Sequence, residues 1–468
     1  MSGLYSTLNH SVKAITAHSR AIETAGKNLA NVNNTTYARQ RVVYGDRGTV
    51  QTPDGAESLG LEALGVQQLR DALIDRQVAR EVSLSGYYEA QQSAYQRAQA
   101  SLGQGIDRTN APGSGTTENG IGAALDNFFN SFQSLASSPT DDGRRSTLLQ
   151  NASILTDRLQ LADQRLAQAQ SDLDAQINTD VGAVNTLLAT LADLNAQIGR
   201  FEINAPGSAV DLRDQRQAKI EELSARLPVT VVDSGGGNLQ LTSRDGLGNT
   251  VVLLNGATVA GSVGFDGTNL TGGAANVALS LSSGSMQGAL AARDGAVQTL
   301  RDDLDALARQ IVTSVNEVYN PGGASTNFFN PAGLSAGGIA LVAGLTPATI
   351  RATNGGAAGD NDIAVGVAQL ASKLFSTGSG DGIDGTFSGF YSKAVAKIGQ
   401  ALAGATARVD DQAKIEKLVR SQRDEVSGVS LDEELADLMK FQRAFQASSR
   451  VFNIVDELLE QIVNRLGA

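Results

Sequence analysis

The sequence predicts a mainly α-helical protein that carries a small inserted β domain. Three observations predict this class. Apolar residues recur at every seventh position near both ends of the chain, long internal stretches repeat at helical spacing, and one glycine-punctuated stretch alternates with a period of two. We therefore expect nested, discontinuous domains, with terminal coiled-coil helices outermost, a central helical bundle within them and the β-rich insert innermost.

The two ends of the chain carry matching apolar stripes. A strict seven-residue repeat is typical of a helix that supercoils around another helix. One such stripe alone is more often part of an ordinary core, but stripes at both ends predict a terminal assembly domain, residues 1–40 and 425–468. Its helices should pair with each other and with neighbouring copies. The residues predicted to carry self-assembly and partner binding are Leu4, Leu8, Ile15, Ile22, Leu29, Leu431, Leu438, Phe441, Phe445, Phe452, Val455, Leu459 and Ile462.

The helical bundle is predicted for residues 41–227 and 291–424. Apolar residues spaced by three and four predict one long helix over about 146–200, in which Gly182 is a candidate kink. Two further apolar stripes predict helices around residues 300–318 and 391–409. Gln, Asp and Arg occupy the intervening positions, which is typical of helices that expose one face to solvent.

The β-rich insert is predicted for residues 228–290. Short runs such as PVTVV, NLQLT and TVVLL are separated by turns of Asn, Asp and Gly, which is the signal of β-hairpins. Ala260–Phe265 and Val277–Leu281 are further strand candidates. A second stretch, Asn320–Asp362, is rich in Gly, Asn and Ala and predicts loops with a short hairpin.

Composition excludes several classes of function. Lys and Arg number 37 against 49 Asp and Glu, a net charge of −12, which argues against binding to a nucleic-acid backbone. Cysteine is absent, so disulfides and thiolate metal sites are excluded, and His10 and His18 are the two histidines of the sequence. No apolar run approaches the roughly 18 residues of a membrane span. The N-terminal residues do not resemble a cleavable signal peptide.

The aspartate-rich motifs do not predict a metal site. Gly380–Gly385 (GDGIDG) and Ala358–Asp362 (AGDND) resemble calcium loops superficially, but they lack the ligand spacing of an EF-hand. Turns and helix caps explain these aspartates better. The sequence contains no combination of nucleophile, base and orienting group, so we expect no catalytic residues, no cofactor, no metal and no enzymatic activity.

Two stretches resemble the terminal signatures of the bacterial flagellar axial family, which comprises rod, hook and hook-associated subunits. They are Asn28–Val43 and Ser427–Leu459. In the first of them Thr35-Thr36 replaces the usual Pro-Gly before the aromatic residue. Internal segments resemble the hook-associated members of the family; these are Leu125–Leu159, Asp211–Val232 (DLRDQR at its start), Gly288–Asp294 and Leu304–Gly323.

The resemblance implies a structural junction protein of the flagellum that polymerises at the distal end of the hook and connects the hook to the filament. The implied partners are further copies of the chain, the hook protein, the second junction protein next to the filament and a cytoplasmic export chaperone at the C-terminal helix. Nucleic acid and a membrane span are not implied. The implied location is extracellular, in the flagellum, after type III export without a cleavable signal peptide.

Two alternatives stay open at this point. One is another axial subunit, such as a rod, hook or flagellin-like junction protein, although the DLRDQR segment is not expected there. The other is a secreted wall hydrolase with flagellar targeting ends, which a peptidoglycan-release assay would detect. The lack of an acid/base pair in the middle of the sequence argues against the hydrolase.

Overall fold

The computed structural model describes residues 2–46, 49–52, 55–58, 60–102, 120–323, 325–355, 357 and 359–466. Within these ranges the chain is mainly helical with small antiparallel sheets, so the predicted fold class is confirmed. The α-helices are α1 (Ser2–Ala30), α2 (Ala72–Ser101), α3 (Ile121–Ser137), α4 (Asp142–Phe201), α5 (Val210–Arg226), α6 (Ser285–Ala292), α7 (Gln298–Tyr319), α8 (Asp362–Gln369), α9 (Phe387–Ser427) and α10 (Leu431–Leu466).

The strands form four small antiparallel groups in the described part of the chain. They pair as β1 with β4, β2 with β3, β5-β6-β7-β8 and β11-β10-β9. The strands are β1 (Gln40–Asp46), β2 (Thr49–Thr52), β3 (Gly55–Ser58), β4 (Leu61–Gln68), β5 (Thr230–Gly235), β6 (Asn238–Arg244), β7 (Thr250–Asn255), β8 (Thr258–Val259), β9 (Gly264–Phe265), β10 (Leu270–Gly272) and β11 (Val277–Ala278).

The chain divides into two compact units. The first unit comprises Met1–Ser85, Asp180–Gly284 and Gln412–Ala468, and the second comprises Gly86–Thr179 and Ser285–Asp411. The predicted three-part division into terminal, bundle and β domains stays a prediction. None of the helices in the described ranges combines the length and the apolar character that crossing a bilayer requires.

Residues 228–284 of the predicted β insert lie in the first unit, whereas its last residues, 285–290, form part of the helix α6 in the second unit. Strands β5, β6 and β7 cover most of the runs PVTVV, NLQLT and TVVLL. β6 and β7 bury Leu239, Leu241 and Leu253, as the alternation of apolar and polar residues predicts. Two side chains of α4 attach this region to the helix. Asn185 exchanges two hydrogen bonds with the backbone of Val263, each 2.8 Å long, and Asn195 Nδ2 donates to the carbonyl of Gly256 over 2.8 Å.

The strands between residues 40 and 68 were not predicted, and nearly all of them fall in the range 41–227 that was predicted to be a helical bundle. Strand β1 pairs with β4 from Gln40 opposite Gln68 to Asp46 opposite Leu61. The register shifts between Val43 and Tyr44. Val42 and Val43 stand side by side, so the run lacks the apolar–polar alternation that identifies a half-buried strand.

The second unit is built around a cluster of aromatic side chains. Phe128 on α3 is fully buried, and its ring centroid lies between 5.0 and 5.8 Å from those of Phe129, Phe132, Phe328 and Phe329. Aromatic rings at these separations stabilise one another beyond their buried area. The cluster therefore forms the core of this unit.

One asparagine holds the loop that delivers Phe328 and Phe329 to this core. Asn316 on α7 donates from Nδ2 to the carbonyl of Phe329 over 2.9 Å, and its Oδ1 accepts the backbone N–H groups of Phe328 and Phe329. Residues 320–361 otherwise contain a 3-10 turn at Pro321–Gly323 and one isolated bridge, Phe329 with Leu341, in their described part. Loops with a short hairpin were predicted there; the described part consists of loops and turns, and the isolated bridge stands in place of the hairpin strands.

The three long helices predicted from apolar spacing are present. α4 runs for 60 residues and is not interrupted at Gly182. α7 buries Leu300, Leu304 and Leu307 along one stripe, and α9 covers the third predicted helix. The long uninterrupted helix follows from a sequence without proline over that range, since glycine costs only about 1 kcal/mol in a helix interior.

Candidate self-assembly surface

The two terminal helices pack against each other within the first unit. Their predicted interface residues lie at three levels of burial. Val455 is buried, Leu431 is 49% exposed, and the others are half-buried. The half-buried residues are Leu4, Leu8, Ile15, Ile22 and Leu29 on α1 and Leu438, Phe441, Phe445, Phe452, Leu459 and Ile462 on α10. The structure thus joins the two helices but leaves much of the apolar stripe accessible.

Leu431 is exposed because a different residue takes the inward position at this end of α10. Glu434, three residues further along, is only 3% exposed. It lies against Asn28 near the end of α1 and against Arg39. The apolar repeat is therefore replaced here by a buried polar contact.

A second apolar stripe on α10 is exposed to solvent. Val451, Ile454 and Leu458 are 44%, 58% and 44% exposed. Spacings of three and four place these residues on one face of the helix. We call these three residues the outer stripe. Clustered apolar side chains on a surface are typical of contact sites for other proteins.

The short helix-to-strand connection after α1 is fixed by a buried amide. Asn28 is 1% exposed, and its Nδ2 donates to the carbonyl of Gln40 over 2.9 Å and to Glu434 Oε2 over 3.0 Å. Its Oδ1 accepts the Tyr37 hydroxyl at 2.8 Å and the Gln40 N–H at 2.9 Å. Both hydrogens and the oxygen of the amide are used, which is the condition for stable burial of this group.

Arg39 neutralises the buried carboxylate of this connection. Its Nε lies 2.6 Å from Glu434 Oε1, although the two are not aligned as a hydrogen bond, and its Nη1 donates to Glu433. The Arg39 N–H also donates to the carbonyl of Ser427 over 2.8 Å. We call Asn28, Arg39, Gln40 and Glu434 the terminal clasp. It ties the N-terminal signature to the C-terminal one.

Helix α5 supports the terminal clasp from a third side. Asp214 Oδ1 accepts Arg70 Nη2 at 2.6 Å and the N–H of Ala38 at 3.3 Å, and Asp211 accepts the Gln40 side chain at 3.0 Å. Burial raises the pKa of Asp214, and the Arg70 guanidinium opposes that shift. Burial, and then the negative charges of Asp214, Asp211 and Glu434, raise the pKa of Tyr37 well above its usual value. Tyr37 therefore stays a neutral donor.

The Thr35-Thr36 turn is held by two arginines. Arg423 Nη2 donates to the carbonyl of Thr35 over 2.8 Å, and Arg70 Nη2 donates to the carbonyl of Thr36 over 2.9 Å. Sequence reasoning recognised this segment as a signature but did not find its role. Its polar residues give no periodic signal, and their partners lie hundreds of residues away in the chain, such as Glu434.

The aspartate-rich motifs form turns, as the sequence analysis preferred. Asp381 accepts the N–H of Ser376 at 2.9 Å, and Asp384 accepts the N–H of Thr377 at 2.8 Å. In the second motif Ala358 lies outside the described residues, and Asp362 accepts the N–H of Asn354 at 3.0 Å. Among the residues that the structure describes, no group of three His, Asp or Glu side chains is placed to hold a metal ion.

Comparison with known proteins finds similarity to flagellar axial proteins. The helical-domain model of the flagellar hook-associated protein FlgK matches residues 113–329, and the C-terminal model of the flagellar basal body rod proteins FlgEFG matches residues 420–466. The whole chain aligns at 26% identity with 99% of flagellar hook-associated protein 1 of Bacillus subtilis (strain 168). The chain is therefore similar, over its whole length, to flagellar hook-associated protein 1. The rod-protein match contains Glu434 of the terminal clasp and the outer stripe.

Other FlgK relatives align over different shares of their length. The protein is 23% identical to flagellar hook-associated protein 1 of Escherichia coli (strain K12) over 98% of this chain and 99% of that one. It is 26% identical to the Salmonella typhimurium protein over 68% of this chain and 57% of that one. The solved flagellar hook junction protein FlgK from Burkholderia pseudomallei is similar with a TM-score of 0.44 and 23% identity, over 52% of this chain and 44% of that chain.

Proposed function

We propose that this protein is a structural junction subunit of the bacterial flagellum that polymerises at the distal end of the hook and connects the hook to the filament. The observation that carries the proposal is the alignment of the entire chain with hook-associated protein 1 of Bacillus subtilis. The FlgK helical-domain match over residues 113–329 favours a junction subunit over a rod, hook or flagellin-like subunit.

The terminal helices supply the surface for this assembly. Contact with α1 leaves Phe441, Phe445 and Phe452 half-buried, so neighbouring subunits gain free energy by covering the remaining apolar area. The outer stripe offers a second apolar contact on the same helix. The residues of the predicted stripes, from Leu4 to Leu29 and from Leu431 to Ile462, are therefore proposed to bind other copies of the chain and the adjoining axial subunits.

The proposed partners follow from this position in the flagellum. They are the hook protein on one side and the second junction protein, next to the filament, on the other. The proposed location is extracellular, reached by the flagellar type III export route without a cleavable signal peptide. The role is structural rather than enzymatic, in keeping with the flagellar relatives. A peptidoglycan-release assay with purified protein should give no activity above buffer.

A deletion strain tests the proposed function directly. Cells that lack the gene should carry hooks without filaments, visible by electron microscopy, and should lose flagellin to the medium. Expression of the wild-type chain should restore filaments. Normal filaments on the deletion strain, or a block before the hook is complete, would overturn the proposal and would point to another axial subunit.

We also propose that a cytoplasmic export chaperone binds α10 before export. The apolar residues of α10 from Leu438 to Leu459 suit a partner groove that takes anchors spaced by three, four and seven residues. Such binding would compete with α1 for the same side chains and prevent early self-assembly. A pull-down should retain the full chain and lose a chain truncated after Ser427. Equal retention of both would place the chaperone site elsewhere.

A further inference from the structure

The DLRDQR motif lines a cleft whose contents the assembly role does not explain. The cleft measures about 400 Å³ and lies in the first unit, between α5, the start of α2 and the β5–β6 hairpin. Four arginines line it against two aspartates, which is unusual in a chain of net charge −12. The arginines are Arg70, Arg76, Arg213 and Arg216, and the aspartates are Asp75 and Asp233.

Two of the four arginines are already neutralised. Arg213 makes a two-pronged ion pair with Glu202, with both N–O distances at 2.7 Å. Arg70 is paired with Asp75 at 3.1 Å and with Asp214 at 2.6 Å. The other two arginines, Arg76 and Arg216, form no such ion pair with a carboxylate among the residues that the structure describes.

Arg216 is a buried cation without a carboxylate partner among the described residues. It is 6% exposed, and its Nη1 donates to Asn195 Oδ1 at 2.9 Å and to the carbonyl of Gly237 at 2.6 Å. In the described part of the chain its Nε and Nη2 donate to no protein group. Burial, and then the neighbouring charge of Arg213, lower the pKa of Arg216 to about 10. The carboxylates of Asp233 and Glu202 oppose this shift through space, but neither forms an ion pair with Arg216. A buried cation that is not directly paired is costly, and a bound anion reduces that cost.

Arg76 stands at the mouth of the same cleft. It is exposed, and its Nε donates to the carbonyl of Ala72, which leaves both Nη groups for a ligand. The guanidinium group presents donors in a planar fork that fits the oxygens of carboxylate and phosphate groups. Asp233, which is exposed on β5, is the negative charge that opposes such a ligand.

We propose that this cleft is an anion-binding site that takes one oxyanion group, a carboxylate or a phosphate, between Arg216 and Arg76. The oxyanion comes either from a free anion or from an acidic side chain of a second copy of this acidic chain. Both sources share the same chemistry at the cleft, and the experiment separates them. The Nη groups of Arg76, together with Nε and Nη2 of Arg216, hold the oxyanion, and the apolar wall of Ile220 and Leu239 limits the size of the group that enters.

The test uses the full chain and inorganic phosphate. Phosphate is titrated at constant ionic strength, set with sodium chloride, while the midpoint of thermal unfolding is followed. Saturable stabilisation of the wild type is expected. Arg76→Gln should weaken the apparent affinity about tenfold, since it removes one charge-assisted contact without touching the core. Asp233→Asn should strengthen the affinity, because the amide still accepts the N–H of Gly235 but carries no charge.

Asp245→Asn is the matched control. Asp245 is a half-buried aspartate in a hairpin turn of the same unit and accepts the N–H groups of Leu247 and Asn249, but it does not line the cleft. This variant should bind phosphate as the wild type does. Arg216→Lys keeps the positive charge and loses the fork, so it should also weaken binding. If Arg216→Lys unfolds, the comparison of Arg76→Gln with Asp233→Asn decides the matter.

Sedimentation velocity of the same proteins distinguishes the two sources of the oxyanion. If a second copy supplies it, the wild type self-associates at low salt, and Arg76→Gln weakens that association while Asp245→Asn does not. If a free anion fills the site, phosphate stabilises the wild type without any change in association state. The proposal is overturned if phosphate affects the wild type and Arg76→Gln equally. It is also overturned if neither phosphate binding nor Arg76-dependent association is found.

Discussion

The phenylalanines of the second unit and those of α10 have different surroundings. Phe128, Phe132 and Phe328 are fully buried among other rings of their own unit. Phe445 and Phe452 on α10 are half-buried, and the outer stripe beside them is exposed. A side chain buried within its own chain stabilises the monomer. An apolar side chain that remains partly exposed stabilises the monomer less, and its remaining apolar area stabilises the assembly when another subunit covers it.

The largest effect is expected for substitutions in the apolar stripe of α10, which should prevent assembly. Leu438→Asp or Phe445→Asp should abolish incorporation at the hook, because a carboxylate buried in the assembled helix contacts costs several kcal/mol. The unfolding transition of the second unit should not change. Electron microscopy of a deletion strain that expresses each variant measures the effect. Gln442→Asp, at an exposed position of α10, is the control and should support filaments. Filament-bearing hooks with Phe445→Asp would show that the stripe does not carry assembly.

A substitution in the aromatic core should instead lower the stability of the monomer. Phe128→Ala removes a ring with no exposed surface and should lower the free energy of unfolding by about 3–5 kcal/mol. Urea unfolding followed by far-UV circular dichroism measures the change. Phe201→Ala, at a side chain that is 70% exposed, should cost little. A comparable loss in both variants would mean that the ring cluster is not the core of its unit.

The terminal clasp should have an intermediate effect. Asn28→Ala leaves the Tyr37 hydroxyl, both backbone groups of Gln40 and one Glu434 oxygen without their partner. Unsatisfied buried polar groups cost about 1–3 kcal/mol each, so the region before Gln40 should open more often. The rate of limited proteolysis within residues 1–40 of the monomer measures this opening. Asn33→Ala, an exposed asparagine of the same segment, should not change the rate. Equal rates for both variants would contradict the clasp.

The smallest predicted effect is a dependence on pH through His18. Burial lowers the pKa of His18 below 6.5, so the folded α1 holds it neutral while the unfolded chain takes up a proton at about that pH. The stability that His18 contributes is therefore complete above pH 6.5 and is lost as the pH falls below it. The rate of proteolysis of α1 should rise on going from pH 7.5 to pH 5.5. His18→Gln should reduce that rise, and an unchanged pH response in this variant would count against the assignment.

The sequence predicted the elements that rest on periodic burial. The stripe of α4 and the alternation of β6 and β7 are regular enough to be recognised without any structure. The heptad spacing also predicted a helix at each end of the chain, and α1 and α10 are present; the assembly role of their apolar residues stays a prediction. The strands between residues 40 and 68 were missed because adjacent valines and a register shift at Val43 break the alternation.

The terminal clasp and the cleft could not have been predicted by the same reasoning. Asn28 and Glu434 are separated by 406 residues, and Arg216 faces Gly237 only because the β5–β6 hairpin folds back towards α5. Polar contacts of this kind depend on single hydrogen bonds rather than on a repeating pattern. A signature such as DLRDQR shows that a segment matters, but its partners are visible only in the fold.

Amide hydrogen exchange of the purified monomer tests the central claim most directly. The claim is that the terminal helices are held weakly within the chain and are stabilised by other subunits. Amides of α10 between residues 438 and 459 should exchange faster than those of α3 and α7, by on the order of a hundredfold or more, because local opening of a half-buried helix pair needs far less free energy than opening a closed core. Equal protection of α10, α3 and α7 in the monomer would contradict this account.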